Sequence, residues 1–430
     1  MRHVAILVLV AAVLSVPPPV TAKDYDIRSQ KPEWQFVDET DPKKADEVLA
    51  KILKRCVNER ETAKLIDALR KGRAYPSGMP SQDTVTVKGA DGLSRQVTWY
   101  LPSKYSGKKP VGVLVFLHGA IRQPPPGGGA YEAKELGAAV EKLDYIRIGP
   151  CTYEGHEWGE PAVRATVHEA LEHVKRRYNV DEDRVVIAGD SDGGRGTYAM
   201  VETEATFYAA AVPVIGSPGG VSRFVNLRNV PFLAINGGKD SIFDATHVKE
   251  AVDLMKKAGI DLTFKFIEEA PHDPFLIVKH KDEVCEFLKA RPRNPLPPVV
   301  DWQVDPSRTG YEAGFPANTF RWIRIEETAA GATAGPFDDF GGWVRQDLPR
   351  VRAEKKEGNL VEVKTHRVKR FTLLVSDAMF DLAAPIEVTV NGKPAFKDTV
   401  KADARMALEE MRLFNDRRLV FSARITVEVE

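Results

Sequence analysis

The segment VVIAGDSDGGRGT, Val185 to Thr197, decides how the rest of the chain is read. Val185 to Ile187 is a β-branched run suited to a buried strand, and Gly194 to Val201 continues in small, helix-compatible residues. Between them Gly189-Asp190-Ser191-Asp192-Gly193 spells G-x-S-x-G. A serine on so sharp a strand-to-helix turn needs neighbours without bulk, and the two glycines supply that room. The pattern alone arises by chance on the order of one time in ten in a chain of this length. Its weight comes from the strand before it and the helix after it.

Upstream, Thr84 to Val87 and Gln96 to Leu101 alternate as strands, with Gly89 and Asp91-Gly92 as turn formers between them. Val113 to Leu117 is a continuous apolar run, the signature of a strand buried on both faces. His118-Gly119-Ala120 ends it, and a Pro/Gly-rich loop, Gln123 to Gly129, follows. Helices are expected at Tyr131–Leu143 and Pro161–Tyr178, with a strand at Tyr145–Ile148 between them. Downstream come strands at Ala210–Val214, Phe232–Ile235 and Leu262–Phe266, with helices at His247–Ala258 and Val284–Leu288. Repeated β-α-β units with buried strands imply an α/β fold, a doubly wound and mostly parallel sheet. Ligands of such sheets bind beyond the carboxyl ends of the strands.

The remaining parts of the 430-residue chain differ in character. MRH and the apolar run Val4–Val16, closed by Pro17-Pro18-Pro19, read as a secretory signal over residues 1–22. A membrane anchor is the competing reading, but the run is shorter than the roughly 20 residues a spanning helix needs. Residues 23–80 form a helical extension: Asp41-Pro42 is an N-cap with proline at the first helical position, Ala45 to Cys56 keeps helical spacing, and Glu61–Arg70 follows. Residues 81–290 form the α/β unit, and Arg291–Val300, dense in proline, a semi-rigid linker. Residues 301–430 carry short alternating segments, among them Phe320–Ile325, Leu360–Lys364, Phe371–Val375, Ile386–Val390 and Val420–Val429, with one helix at Ala404–Leu413. A β-sandwich-like accessory unit is the expectation, with a hairpin at Asn391-Gly392.

Lysine plus arginine and aspartate plus glutamate each number 61, so no long-range field draws the chain to nucleic acid or to an anionic membrane. Three cysteines, Cys56, Cys151 and Cys285, permit at most one internal disulfide and are read as buried free thiols. No Cys/His spacing resembles a zinc site, and neither metal nor cofactor is expected.

Two further loops complete a chemical constellation. Asn236-Gly237-Gly238-Lys239-Asp240 follows the strand Phe232–Ile235, and Ala270-Pro271-His272-Asp273 follows the strand Leu262–Phe266. Both fall at carboxyl ends of strands, on the same edge as Ser191, in the order Ser, Asp, His. His272 is expected to take the proton of Ser191 as it attacks a carbonyl, and Asp240 to hold the imidazole. Asp244 competes for the role of Asp240. The backbone N–H groups of Asp192 and of Ala120, with Gly119 beside it, are the candidate donors to the oxyanion. Asp190, Arg195 and His118 are the candidate substrate-binding residues, although shaping the loop is the main role expected of His118. Arg195, a turn onward from the serine, is positioned to pair with one of the flanking aspartates.

The strand-HG-loop, the GDSDGG turn, the NGGKD loop and the PHD loop together resemble α/β-hydrolases, over about Asp83 to Ala290. Tyr178 to Met200, YNVDEDRVVIAGDSDGGRGTYAM, is similar to secreted serine esterases and prolyl-oligopeptidase-like domains, and Val368 to Lys393 resembles the β unit appended to some bacterial members. The resemblance implies a secreted or periplasmic carboxylesterase. The chain departs from it in placing Asp190 and Asp192 on both sides of the serine, read as selecting a neutral or cationic ligand, with reduced activity as the alternative. The short interval between Val214 and Phe232 leaves no room for a large cap, so the expected substrate is a bulky ester, such as an acyl group on a polysaccharide. The alternatives are a peptidase with the same triad, or an idle hydrolase fold that binds glycans through Trp302, Trp322 and Trp343.

Overall fold

The computed structural model describes residues 30–429 except 77–78, 90, 123–133, 220–222, 307–314, 316 and 330–346. The expected signal, the Pro/Gly-rich loop, the start of the Tyr131 helix and Trp343 lie outside the described residues. Three helices come first: α1 (Pro32–Asp38), α2 (Pro42–Leu53) and α3 (Glu59–Lys71). Asp41 caps α2 by accepting from the N–H groups of Lys43 and Lys44, as its place before Pro42 requires.

The α/β unit then runs β1 (Gln82–Lys88), β2 (Ser94–Tyr100), β3 (Val111–Leu117), α4 (Lys134–Glu141), β4 (Tyr145–Pro150), α5 (Pro161–Arg177), β5 (Val180–Asp190), α6 (Asp192–Glu204), β6 (Ala210–Val214), α7 (Phe224–Leu227), β7 (Phe232–Gly237), α8 (Ala245–Lys257), β8 (Leu262–Ile267), α9 (Leu276–Lys279) and α10 (Lys281–Lys289). Its strands form one sheet in the order β1-β2-β4-β3-β5-β6-β7-β8. β2 is antiparallel to both its neighbours, and every pairing from β4 to β8 is parallel. β3, β6 and β7 are buried along their whole length, because helices cover both faces. This order, with one antiparallel strand near the edge, is an α/β-hydrolase fold. It sets the carboxyl ends of β3, β5, β7 and β8 along one edge.

Two further sheets follow, built from β9 (Val299–Gln303), β10 (Thr319–Phe320), β11 (Ile323–Thr328), β12 (Arg350–Lys355), β13 (Leu360–His366), β14 (Val368–Val375), β15 (Ile386–Val390), β16 (Lys393–Asp398) and β17 (Ala423–Glu428), with α11 (Ala404–Phe414) between the last two. Their orders are β10-β11-β14-β17 and β16-β15-β13-β12-β9. Asn391 (φ 51°) and Gly392 (φ 83°) make the tight β15–β16 turn that the Asn-Gly pair demands. The segment Phe320–Ile325, expected as one strand, is instead a hairpin, because Arg321 turns the backbone at φ 52°.

The apolar layer on one face of the large sheet, including Val113, Ile187 and Tyr198, continues without a break into the interior of the smaller sheets, at Trp302, Phe371 and Phe421. Trp302 and Trp322 are fully buried, with Trp302 stacked on Phe320, so these two do not form a sugar platform. Arg291–Val300 runs along this junction. Arg293 is held there by Asp183 and Asp416, and Pro297 accepts the indole N–H of Trp322. The N-terminal helices pack elsewhere: Trp34, Leu49 and Leu69 join Leu408 and Met411 of α11 in a separate cluster. Beneath it Arg73 pairs with Asp38 at 2.6 Å, both side chains almost wholly buried, and donates to Asn415.

Candidate active site

Ser191 stands on the turn between β5 and α6 at φ 55°, ψ −118°, a conformation that L side chains seldom adopt and that costs on the order of 1–3 kcal/mol. The surrounding glycines make it feasible. A Cβ on Gly189 would lie 2.4 Å from the Gly193 carbonyl oxygen, and one on Gly193 would lie 1.9 Å from that of Leu117. The Ser191 N–H donates to Val214 O at 3.0 Å, which ties the turn to the end of β6.

The other two loops reach the same place. His272 Nε2 is 3.0 Å from Ser191 Oγ, and His272 Nδ1 is 2.8 Å from Asp240 Oδ2. The second oxygen of Asp240 accepts from the N–H groups of Ile242 and Phe243, so the carboxylate is fixed and its side chain buried. Asp244, the competitor, is exposed and caps α8 through Thr246 N and His247 N. With Nδ1–H donating to Asp240, Nε2 is left to accept the Ser191 hydroxyl proton.

The flanking aspartates both face the loop after β3. Asp192 Oδ2 accepts from Ile121 N at 3.2 Å. Asp190 faces the N–H of Gly119, and its Oδ2 lies 3.0 Å from where a Cβ on Gly119 would stand. One aspartate thus holds the residue before Ala120 and the other the residue after it. Ala120 sits between them at φ 53°. Asp192 is the first residue of α6, where the helix leaves its N–H groups without intrahelical acceptors. This arrangement can present the Asp192 and Ala120 N–H groups to a developing oxyanion.

His118 and Asp190, expected to bind substrate, are both buried. His118 is buried, its Nδ1 donating to Gly119 O at 2.6 Å and its Nε2 accepting from Thr152 N at 3.1 Å. Burial pushes its pKa down, and the acceptor role of Nε2 requires the neutral ring. Asp190 is 5% exposed; burial pushes its carboxyl up to about 7, and Oδ1 has no hydrogen-bond partner. Arg195, expected to pair with a flanking aspartate, is half-exposed and pairs with Glu157 at 3.2 Å instead. The two carboxylates already have main-chain donors in the Gly119–Ile121 loop, which is why no cation is recruited. Glu157, Thr152 and Trp158, whose indole N–H donates to His118 O, belong to a loop before α5 that carries no motif.

Next to the serine turn, a cavity of about 420 Å³ opens between α5 and α6, reaching Asp192 and lined also by Ile121, Glu157, Arg195 and Glu202; Ser191 and His272 are not among its lining residues. Between β6 and β7 the described residues contain only the short helix α7, so no cap covers it from there. Among the described residues no three His, Cys, Asp or Glu side chains gather as a metal site.

Fold and geometry together define an α/β-hydrolase fold with a Ser-His-Asp chain of contacts at its strand ends. Residues 148–284, which include Ser191, Asp240 and His272, match the family model of the Dienelactone hydrolase family, an α/β-hydrolase family. The chain is 26% identical over 165 residues, 38% of its length, to the bifunctional acetylxylan esterase/xylanase XynS20E of Neocallimastix patriciarum. It spans about a quarter of that relative, 24% of its length. Among solved structures it is similar to a thermostable esterase (18% identity, TM-score 0.43, covering 50% of this chain and 64% of that one). It is also similar to esterase Est2 of Thermogutta terrifontis (18% identity, TM-score 0.42, covering 50% and 94%).

Proposed function

We propose that the protein is a serine carboxylesterase acting on bulky esters, with carbohydrate-linked acyl groups as the substrate class. The observation that carries this is the unbroken series Asp240–His272–Ser191, at 2.8 and 3.0 Å, with the serine on a strained turn. In this reading Ser191 Oγ attacks the ester carbonyl while His272 Nε2 takes its proton, and Asp240 stabilises the imidazolium. The Asp192 and Ala120 N–H groups hold the oxyanion, each such donor being worth about 3 kcal/mol of barrier. His272 then gives its proton to the departing alkoxide, leaving an acyl-enzyme that water, activated by the same histidine, hydrolyses.

The substrate class is supported by the cavity next to the serine turn, whose carboxylate and guanidinium side chains suit hydroxyl-rich ligands better than alkyl chains, and by the similarity to an acetylxylan esterase/xylanase. Export through residues 1–22 belongs to the same proposal. A fluorophosphonate probe is expected to label the protein, and Ser191→Ala to abolish both labelling and ester turnover. Folded protein that neither takes the label nor turns over acetylated xylo-oligosaccharides or aryl acetates refutes the reading. Faster release of amine from a peptide than of alcohol from an ester assigns the triad to a peptidase instead.

A further inference from the structure

A second cavity, of about 370 Å³, lies at the junction between the large sheet and the smaller ones. It is far from the serine. Ala209, on its wall, precedes β6, whose far end at Val214 accepts the Ser191 N–H. Five residues of strand separate the two, roughly 16 Å. Four arginines, Arg228, Arg291, Arg293 and Arg321, line this cavity, and among its described lining residues there is no Asp or Glu.

Three of the four have counter-charges outside the lining. Arg293 is clasped by Asp183 at 2.9 Å and Asp416 at 2.7 Å. Arg291 lies 3.5 Å from Asp261, and Arg228 lies 3.7 Å from Asp301, a carboxylate that also serves Arg350 and Arg352. Arg321 is different. It is 2% exposed, and neither its Nε nor its Nη1 has a hydrogen-bond partner. Its one hydrogen bond through the side chain is a long one, from Nη2 to Ala205 O at 3.5 Å. Asp183 and Asp416 are near enough to influence it, but they are occupied by Arg293, and Arg418 also pairs with Asp183. Burial and the charge of Arg293 both push its pKa well down. A guanidinium keeps its proton even so, and a buried cation with unused donors is unfavourable unless an anion meets it. The β10–β11 turn fixes the side chain there, with Arg321 at φ 52° and its N–H donating to Thr206 Oγ1.

We propose that this cavity binds a small oxyanion, a phosphate, a sulfate or the carboxylate of a sugar acid, with Arg321 as the deep anchor and Arg228 and Arg291 at the mouth. The volume accommodates a sugar ring behind the charged group as well as a bare inorganic ion. The site is independent of the esterase reading, since it lies at the opposite end of β6 from Ser191.

Calorimetric titration of the full chain with inorganic phosphate, sulfate and glucuronate, at constant ionic strength set with chloride, tests it. One saturable site per chain is expected for at least one of the three, and the preferred probe separates inorganic ion from sugar acid. Arg321→Met is expected to weaken binding about ten-fold or more, the worth of a lost charge-assisted contact. Arg291→Gln, at the partly exposed mouth, is expected to weaken it by a smaller factor and serves as the deciding variant should Arg321→Met not fold. Circular dichroism and the melting temperature report whether each variant is folded. Absence of saturable binding by the wild type, or binding unchanged in the folded variants, overturns the proposal.

Discussion

Asp190 offers a quantitative test, because its carboxyl is buried, one of its oxygens has no partner, and its pKa is raised from 3.8 to about 7. A carboxyl whose pKa is raised on folding binds more protons in the native state than in the unfolded one across that window. Stability therefore falls as pH rises from about 4 to about 7, and the loss persists above 7. At 1.36 kcal/mol per unit the whole interval is worth about 4 kcal/mol, of which roughly 3 kcal/mol falls between pH 5 and pH 8. Asparagine keeps the shape and an acceptor for the Gly119 N–H but does not titrate. Asp190→Asn is thus expected to gain stability relative to the wild type as pH rises, by about 3 kcal/mol between pH 5 and pH 8. Urea unfolding of both proteins at half-unit pH steps measures this difference directly. A difference that stays level across the series, or that shrinks with rising pH, refutes the account of Asp190 as a desolvated carboxyl.

Asp192→Ala removes the acceptor for Ile121 N–H and is expected to lower kcat about 10- to 100-fold with little change in KM, part of the 10²–10³ that loss of an oxyanion donor costs. Asp192→Asn should recover most of that rate, and equal damage in the two would assign the effect to charge. Gly193→Ala, with its new Cβ 1.9 Å from the Leu117 carbonyl oxygen, is expected to distort the serine turn and abolish fluorophosphonate labelling, whatever its effect on the melting temperature. Arg73→Leu leaves Asp38 as a buried carboxylate without its bidentate partner and should cost about 3–5 kcal/mol in urea unfolding while labelling of the folded fraction persists.

The parts of the site that were legible are those written locally. The turn at Ser191 announces itself by two glycines and a strand-helix switch, and the loops carrying Asp240 and His272 begin where apolar runs end. What was not legible depends on approach between distant segments. Asp192 meets Ile121 across 71 residues, and Glu157 meets Arg195 across 38, neither within a motif. The main-chain anchoring by the aspartates beside the serine, Asp190 on Gly119 and Asp192 on Ile121, therefore leaves no local signal. In the β-rich region, β16 (KPAFKD) has almost no buried face, so alternation does not mark it, and β12 (RVRAEK) buries only Val351 and Ala353 in an otherwise charged segment. The Pro-rich Arg291–Val300 reads as a tether, because the charges and indole that fasten it come from Asp183, Asp416 and Trp322.

The packing of α1–α3 on α11 has a consequence for how the chain acquires its structure. Trp34, Leu49 and Leu69 take part of their cover from α11, far along the chain; Arg73 and Asn415, hydrogen-bonded in the final structure, are 342 positions apart. A closure of that span brings little reward until nearly everything between is in place, so the two segments should dock late and melt early. Until then an apolar helical surface stays open to chaperones, to other chains and to proteases, and hydrogen exchange in α1–α3 should outpace that of the central strands.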